Sequence, residues 1–276
     1  MPTRSTKNTF SLLAALGVVV LFYLKTASLV PLKAATSSAC GTTTSGLATT
    51  SKLSHFDIIQ KRTYKKAIEL ADTTRTRFTL DGWKRGSGGL DDADRRVLGD
   101  LYFNANSVFE YGLGESTKIA AYTGVPRYAG VDSDASWVAQ ARDSANMDHF
   151  RFHFADIGET IAWGNPKNNT LQKIQYDYQV APLVLEHEPF DVYLVDGRYR
   201  VACACVSFLH AMKHGADMSK VRVGTHDNGR EEYHVLEQVA DVVVRNKKLW
   251  VYILKEGTTE EDLFKIWHRH ANAQGR

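Results

Sequence analysis

The stretch DVVVRNKKLWVYILK, residues 241–255, holds two apolar strand-like runs, 241–246 and 249–255, separated only by Lys247 and Lys248. A right-handed parallel crossover needs about a dozen residues or more, so runs joined this tightly must pair as an antiparallel hairpin. Upstream, strand-like runs at 107–112, 127–134, 150–156, 190–197 and 221–227 alternate with helical spacing at 116–123, 135–145, 200–215 and 230–240. Residues 171–183 read as partly helical. Helical spacing over 54–72 and 91–103 flanks a glycine-rich loop, DGWKRGSGG (81–89). Such alternation predicts an α/β architecture, a Rossmann-like doubly wound sheet whose final strand is antiparallel.

Composition narrows the function classes. The 276 residues are 43% hydrophobic and 24% charged, ordinary for a chain with a real core. A net charge of +3 excludes an acidic disordered tail and gives no electrostatic case for nucleic acid. Three cysteines exclude a disulfide-stapled miniature fold: Cys203 and Cys205 are spaced C-x-C, Cys40 lies far away, and without a C-x-x-C pair no structural zinc site is expected.

The first fifty or so residues read differently from the rest. FSLLAALGVVVLFYL (10–24) is uncharged and, as a helix, spans roughly 22 Å, short of the ~30 Å hydrocarbon core. Snorkelling of Lys25 extends the span to about residue 32, and Arg4 and Lys7 place the N-terminus in the cytosol. Three readings stay open: a signal anchor, giving a single-pass type II protein with its C-terminal domain in the lumen; a cleaved signal peptide giving a secreted one; and a buried core helix, against which the sequence that follows argues. Residues 34–52 are almost all small or hydroxylated and read as a stalk. The expected organisation is therefore 1–33 cytosolic tail and anchor, 34–52 stalk, and 53–276 folded domain. Asn168-Asn169-Thr170 is a glycosylation sequon in a loop.

Candidate site residues gather at the strand ends. The first strand runs into FEYGLGEST, which offers Glu110, Gly112, Gly114 and Ser116 at a strand-to-helix turn, where glycines let a backbone approach a ligand closely. The third glycine of a dinucleotide site is absent, which with the hairpin argues against a nicotinamide enzyme. The second strand ends at Asp132, placed for ribose hydroxyls, and the third at Asp156. Trp137, on the next helix, reads as core. The fourth strand ends in VDGRYR (195–200) and the fifth in THDN (225–228), so Asp196 and Asp227 should share one crevice. Asp196 is the first candidate for a general base, with His226 second and Asp227 beside them. Arg198, Arg200 and Arg230 are candidates for pairing an acidic acceptor's carboxylate. Asp196, Asp227 and Asn228 also offer the hard oxygen ligands that suit Mg²⁺ or Mn²⁺.

These motifs carry a resemblance. VFEYGLGEST, GVDSDASWV, YDYQVAPL before FDVYLVDGRYR, and THDNGREEY followed by LWVYI resemble the glucuronoxylan 4-O-methyltransferase/irregular-xylem family of polysaccharide biosynthesis proteins. The resemblance covers about 150 of the 276 residues. It implies a class I S-adenosylmethionine (SAM) methyltransferase fold, with Glu110 directed at the methionine ammonium and Asp156 near the adenine. It also implies a Golgi membrane location and methyl transfer to a uronic-acid hydroxyl of a polysaccharide. The chain departs from the plant proteins in having VDGRYR where they carry an alanine-proline version of that loop. Some members of that group act in wall assembly without demonstrated transferase activity, so a catalytically idle assembly factor is one rival expectation, and a cation-dependent small-molecule O-methyltransferase is the other.

Overall fold

A computed structural model describes residues 54–70, 73–86, 88–161, 165–167 and 175–273. The expected anchor, the stalk with Cys40, and the sequon lie outside the described residues. Among the described residues no helix is long and apolar enough to cross a membrane.

The helix α1 (His55–Leu70) comes first, then α2 (Asp92–Asn104), β1 (Ser107–Tyr111), α3 (Glu115–Thr123), β2 (Arg127–Asp132), α4 (Ala135–Ala145) and β3 (Arg151–Phe154). A two-residue hairpin, β4 (Thr160–Ile161) with β5 (Asn165–Pro166), stands apart from the main sheet. A π-helical turn, Gln175–Val180, runs directly into α5 (Ala181–Val184). Then follow β6 (Val192–Val195), α6 (Arg200–Lys213), β7 (Arg222–Thr225), β8 (Ala240–Arg245), β9 (Trp250–Leu254) and α7 (Glu260–His270).

The sheet order is β3-β2-β1-β6-β7-β9-β8. The strands from β3 to β7 are parallel to one another, and β9 lies between β7 and β8, antiparallel to both. This is the hairpin that Lys247 and Lys248 dictate. Its ladder slips once, with Val242 opposite Tyr252 but Val244 opposite Val251, and the extra residue Val243 points to solvent. All five residues of β1 are buried, as a central parallel strand covered on both faces requires. One core packs α6, α7 and the π-turn on one face; the other packs α2, α3 and α4 on the opposite face.

Local chemistry sets the helix ends. Asp91 and Asp94 form a reciprocal capping box at α2. Asp134 caps α4 through the Ser136 and Trp137 amides, which leaves Asp132 to other work. Residues 231–238, with helical spacing in sequence, form a 3₁₀ helix instead of an α-helix. In that segment His234 bonds the Asn228 carbonyl (3.0 Å) and stacks on Trp250, which holds it tightly wound ahead of β8.

Helix α1 buries none of its residues. It is tethered at the start of the strands, where Lys61 meets Glu188 (2.8 Å) and Arg151, the first residue of β3, lies 3.8 Å over the Tyr64 ring.

Candidate active site

A cleft of about 1130 Å³ opens at the carboxyl ends of β1, β2, β6 and β7, the place an open α/β sheet reserves for ligands. Gly112 and Gly114 form its floor. Gly112 sits at φ +88°, and a Cβ there would come within 2.7 Å of the Asp196–Gly197 backbone. The turn after β1 and the turn after β6 are therefore packed main chain on main chain. Gly114 is the opposite case, since a Cβ there would meet nothing within 4 Å. It begins α3 over open space, a cradle that a side chain would fill.

Asp132 lines the cleft. Its Oδ2 accepts the Leu113 amide (2.9 Å) and its Oδ1 the Asp134 amide (3.0 Å), which locks the carboxylate against the glycine turn. Burial raises its pKa, against the pull of those amides. Trp137, expected in the core, is partly exposed and lines the cleft.

Glu110 and Asp156 depart from their expected places. Glu110 is fully buried and is not part of the cleft wall. It accepts hydroxyl hydrogen bonds from Tyr102 (2.7 Å), Tyr128 (2.6 Å), Thr117 (2.8 Å) and Ser116 (3.1 Å), so the carboxylate is engaged by interior hydroxyls behind the cleft wall. Even so, burial raises its pKa. Ser116 lines the cleft but spends its hydroxyl on Glu110. Asp156 lies beyond β3, exposed and away from the cleft, with Oδ1 accepting the Gly158 amide in a local turn.

The other half of the cleft holds a charge cluster. His226 is 1% exposed. Its Nδ1 lies 3.0 Å from Asp196 Oδ1 and 3.5 Å from Asp227 Oδ1. Its Nε2 lies 3.3 Å from Oδ2 of Asp94, on α2. Burial pushes the imidazole toward neutrality, but hydrogen bonds to Asp196 and Asp94 and the charge of Asp227 prevail, raising its pKa to about 9. His226 is therefore an imidazolium at neutral pH. For Asp196, burial is outweighed by the charge of Arg200 and by His226, and the carboxyl is held below its usual value. Asp227 adopts φ +59°, a left-handed turn that Asp tolerates better than most residues.

Arg200 corrects one expectation. It is buried and faces inward, pairing with Asp196 (3.3 Å) and Asp227 (3.0 Å) and donating to the carbonyls of Gly197 (3.1 Å) and His226. Its guanidinium is committed to the cluster, not offered to an acceptor. Arg198 and Arg230 do line the cleft; Arg230 lies 3.5 Å from Asp227 and donates to the Tyr233 hydroxyl.

The same geometry decides the cation question. Asp196, His226 and Asp227 bring potential ligand atoms within 4.8 Å of one another. The Arg200 guanidinium already bridges the two carboxylates and occupies the place between them. Asn228, the third expected ligand, is fully buried and turned away, donating to Thr225 and accepting from the Tyr252 hydroxyl (3.2 Å). The residues present do not fit a divalent ion.

Several cleft residues lie beyond the reach of the sequence. Tyr178 comes from the π-turn, its hydroxyl accepting the Arg198 amide (3.0 Å). His270 and Asn272 come from the end of α7. The described residues of the glycine-rich loop, 81–86 and 88–89, form a strap along the cleft. Trp83 donates to Glu115 (2.8 Å), Arg95 pairs with both oxygens of Glu115 (2.8 and 2.9 Å), and Arg85 grips Asp92. A Cβ at Gly89 would lie 3.3 Å from His226 Cε1. The density of glycine in that loop is the one signal in the sequence that announces it.

Strand order, antiparallel insertion and a cleft of strand-end carboxylates define the Rossmann-like fold of class I SAM-dependent methyltransferases. Among solved structures, a methyltransferase-like protein from Silicibacter pomeroyi is similar over 68% of this chain and 98% of its own, with 25% identity and a TM-score of 0.55. Looser likenesses are an RNA methyltransferase from Salinibacter ruber in complex with S-adenosylhomocysteine (14% identity, 63% and 97% covered, TM-score 0.37) and the SAH-bound methyltransferase PaMTH1 of Podospora anserina (12%, 75% and 99%, 0.38). These two are too distant to bear on this chain's chemistry. No protein-family model matches the sequence, and no curated protein does.

Proposed function

We propose that this protein is a SAM-dependent O-methyltransferase acting on a sugar hydroxyl of an acidic polysaccharide, held to the Golgi membrane by residues 10–24. The observation that carries the transferase reading is the packing of the Gly112 turn on the Asp196–Gly197 backbone, which puts a cofactor-type glycine turn and a carboxylate in one cleft. The residues fit the cofactor: Gly114 leaves the space, and the Asp132 carboxylate keeps acceptor capacity for a ribose hydroxyl at the cleft wall. SAM supplies an electrophilic methyl group when bound.

The chain's own residues do the rest. Asp196 faces the cleft and accepts the acceptor hydroxyl's proton as the new bond forms. Its lowered pKa is no bar, because an alkylated hydroxyl is a far stronger acid than any carboxylic acid. Positioned proton acceptance is worth about 10²–10⁴-fold. His226 and Arg200 hold Asp196 ionised and aimed. Arg198 and Arg230 supply positive charge for an acidic acceptor. The motif resemblance supports a uronic-acid sugar, and the apolar run and stalk support the membrane placement.

One observation favours the idle assembly-factor reading: Asp196 is shared between two cations. Methyl transfer from labelled SAM to a panel of acidic and neutral oligosaccharides separates the readings. Label on acidic members only is the expected outcome. SAM binding without transfer to any member would leave the idle reading standing.

A further inference from the structure

We propose that Asp94 is the positioning residue of this site: from α2 it braces the His226 ring and, through the ring, holds the Asp196 carboxylate toward the cleft. The inference rests on the methyltransferase reading and adds to it a residue outside the strand ends.

The geometry is a strut. Asp94 is fully buried, 132 residues from His226 in sequence, and its Oδ2 lies 3.3 Å from Nε2. The opposite ring nitrogen, Nδ1, lies 3.0 Å from Asp196 Oδ1. A rigid ring between two carboxylates transmits the position of one to the other. Stability alone does not account for Asp94. Its capping task is to accept the Asp91 amide (3.2 Å), which an uncharged asparagine would do as well. Burial opposes the charge of the carboxylate, and the cation that faces it is the His226 ring. That arrangement costs folding free energy, and such costs collect where function requires them.

Among the described residues, the charged groups that face His226 fit the strut. Asp94 approaches from α2, Asp196 from the end of β6, and Asp227 from the adjoining residue. Arg200, from α6, is the opposing cation and is neutralised by Asp196 and Asp227. Among the described residues of the strap, uncharged Gly89 is the one that comes against the ring.

The test is Asp94→Asn in the full chain, with ¹⁵N-histidine NMR and kinetics. The His226 titration should move down by about one pH unit, since one facing anion is gone. Turnover should fall roughly 10- to 100-fold with the KM for SAM unchanged. In a His226→Gln background the same substitution should change turnover by less than about twofold, because a residue acting through His226 loses its route. An unmoved His226 titration, or an undiminished effect in the His226→Gln background, overturns the proposal. Should Asp94→Asn fail to fold, the unsubstituted protein decides: a His226 ring doubly protonated at pH 8 supports the strut, and a neutral ring overturns it. Absence of SAM binding and transfer in the unsubstituted protein would sink the methyltransferase reading instead, and the titration would still judge the Asp94–His226 link.

Discussion

Asp196 is where proton acceptance and structure can be told apart. Asp196→Asn keeps the shape and removes the proton acceptor. Turnover should fall about 10²-fold or more with SAM affinity little changed, as kinetics and calorimetry would read it. The cation question has a direct test: with Arg200 bridging the carboxylates, EDTA should leave transfer unchanged, and loss restored by Mg²⁺ would refute that account. His226 carries a pH signature. Its folded pKa, about 9, stands above the usual 6.5, so its stabilising contribution is complete below about pH 6.5 and is lost as pH rises through about 9. The stability difference between the native protein and His226→Gln, by denaturant titration, should shrink over that window by a few kcal/mol. These roles are half legible in the sequence. Asp196, His226 and Asp227 follow from strand ends. The inward turn of Arg200 does not, because one helical residue's direction depends on what its neighbours have buried. Nor does the loss of Glu110 to four hydroxyls, two of them on tyrosines from other elements.

At the scale of elements, the two cofactor-turn glycines should behave differently. Gly114→Leu places its side chain in open cleft, so SAM binding should be lost with the fold intact by circular dichroism. Gly112→Val drives a Cβ into the Asp196–Gly197 backbone at a positive φ, so it should lower thermal stability as well. The parallel strands and the closing hairpin are legible because each follows from a local constraint: apolar runs of strand length, and a link too short to cross over. The 3₁₀ segment 231–238 is not, since helical spacing does not distinguish it from an α-helix and the Trp250 stack that holds it is made across the fold. Helix α7 carries its own signal in the Thr259–Asp262 capping box. Its contribution of His270 to the cleft depends on the direction of β9 and only the assembled sheet reveals it.

For the whole molecule, the apolar run and stalk make a prediction independent of the cleft. The full chain should stay with membranes through carbonate extraction, and a form lacking residues 1–33 should be released. A mature N-terminus near residue 35 would show a cleaved signal instead. A separate consequence follows from β9 running against its neighbours. The chain leaves that strand at the end of the sheet where α1 is tethered, and α7 carries it back to the cleft wall at His270, Asn272 and Ala273. The two ends of the folded domain therefore have unequal value as handles. Coupling to a bead or sensor chip through the α1 side leaves the mouth unobstructed. Anything grafted just past Ala273 starts at the doorway, where it would compete with the acceptor for entry.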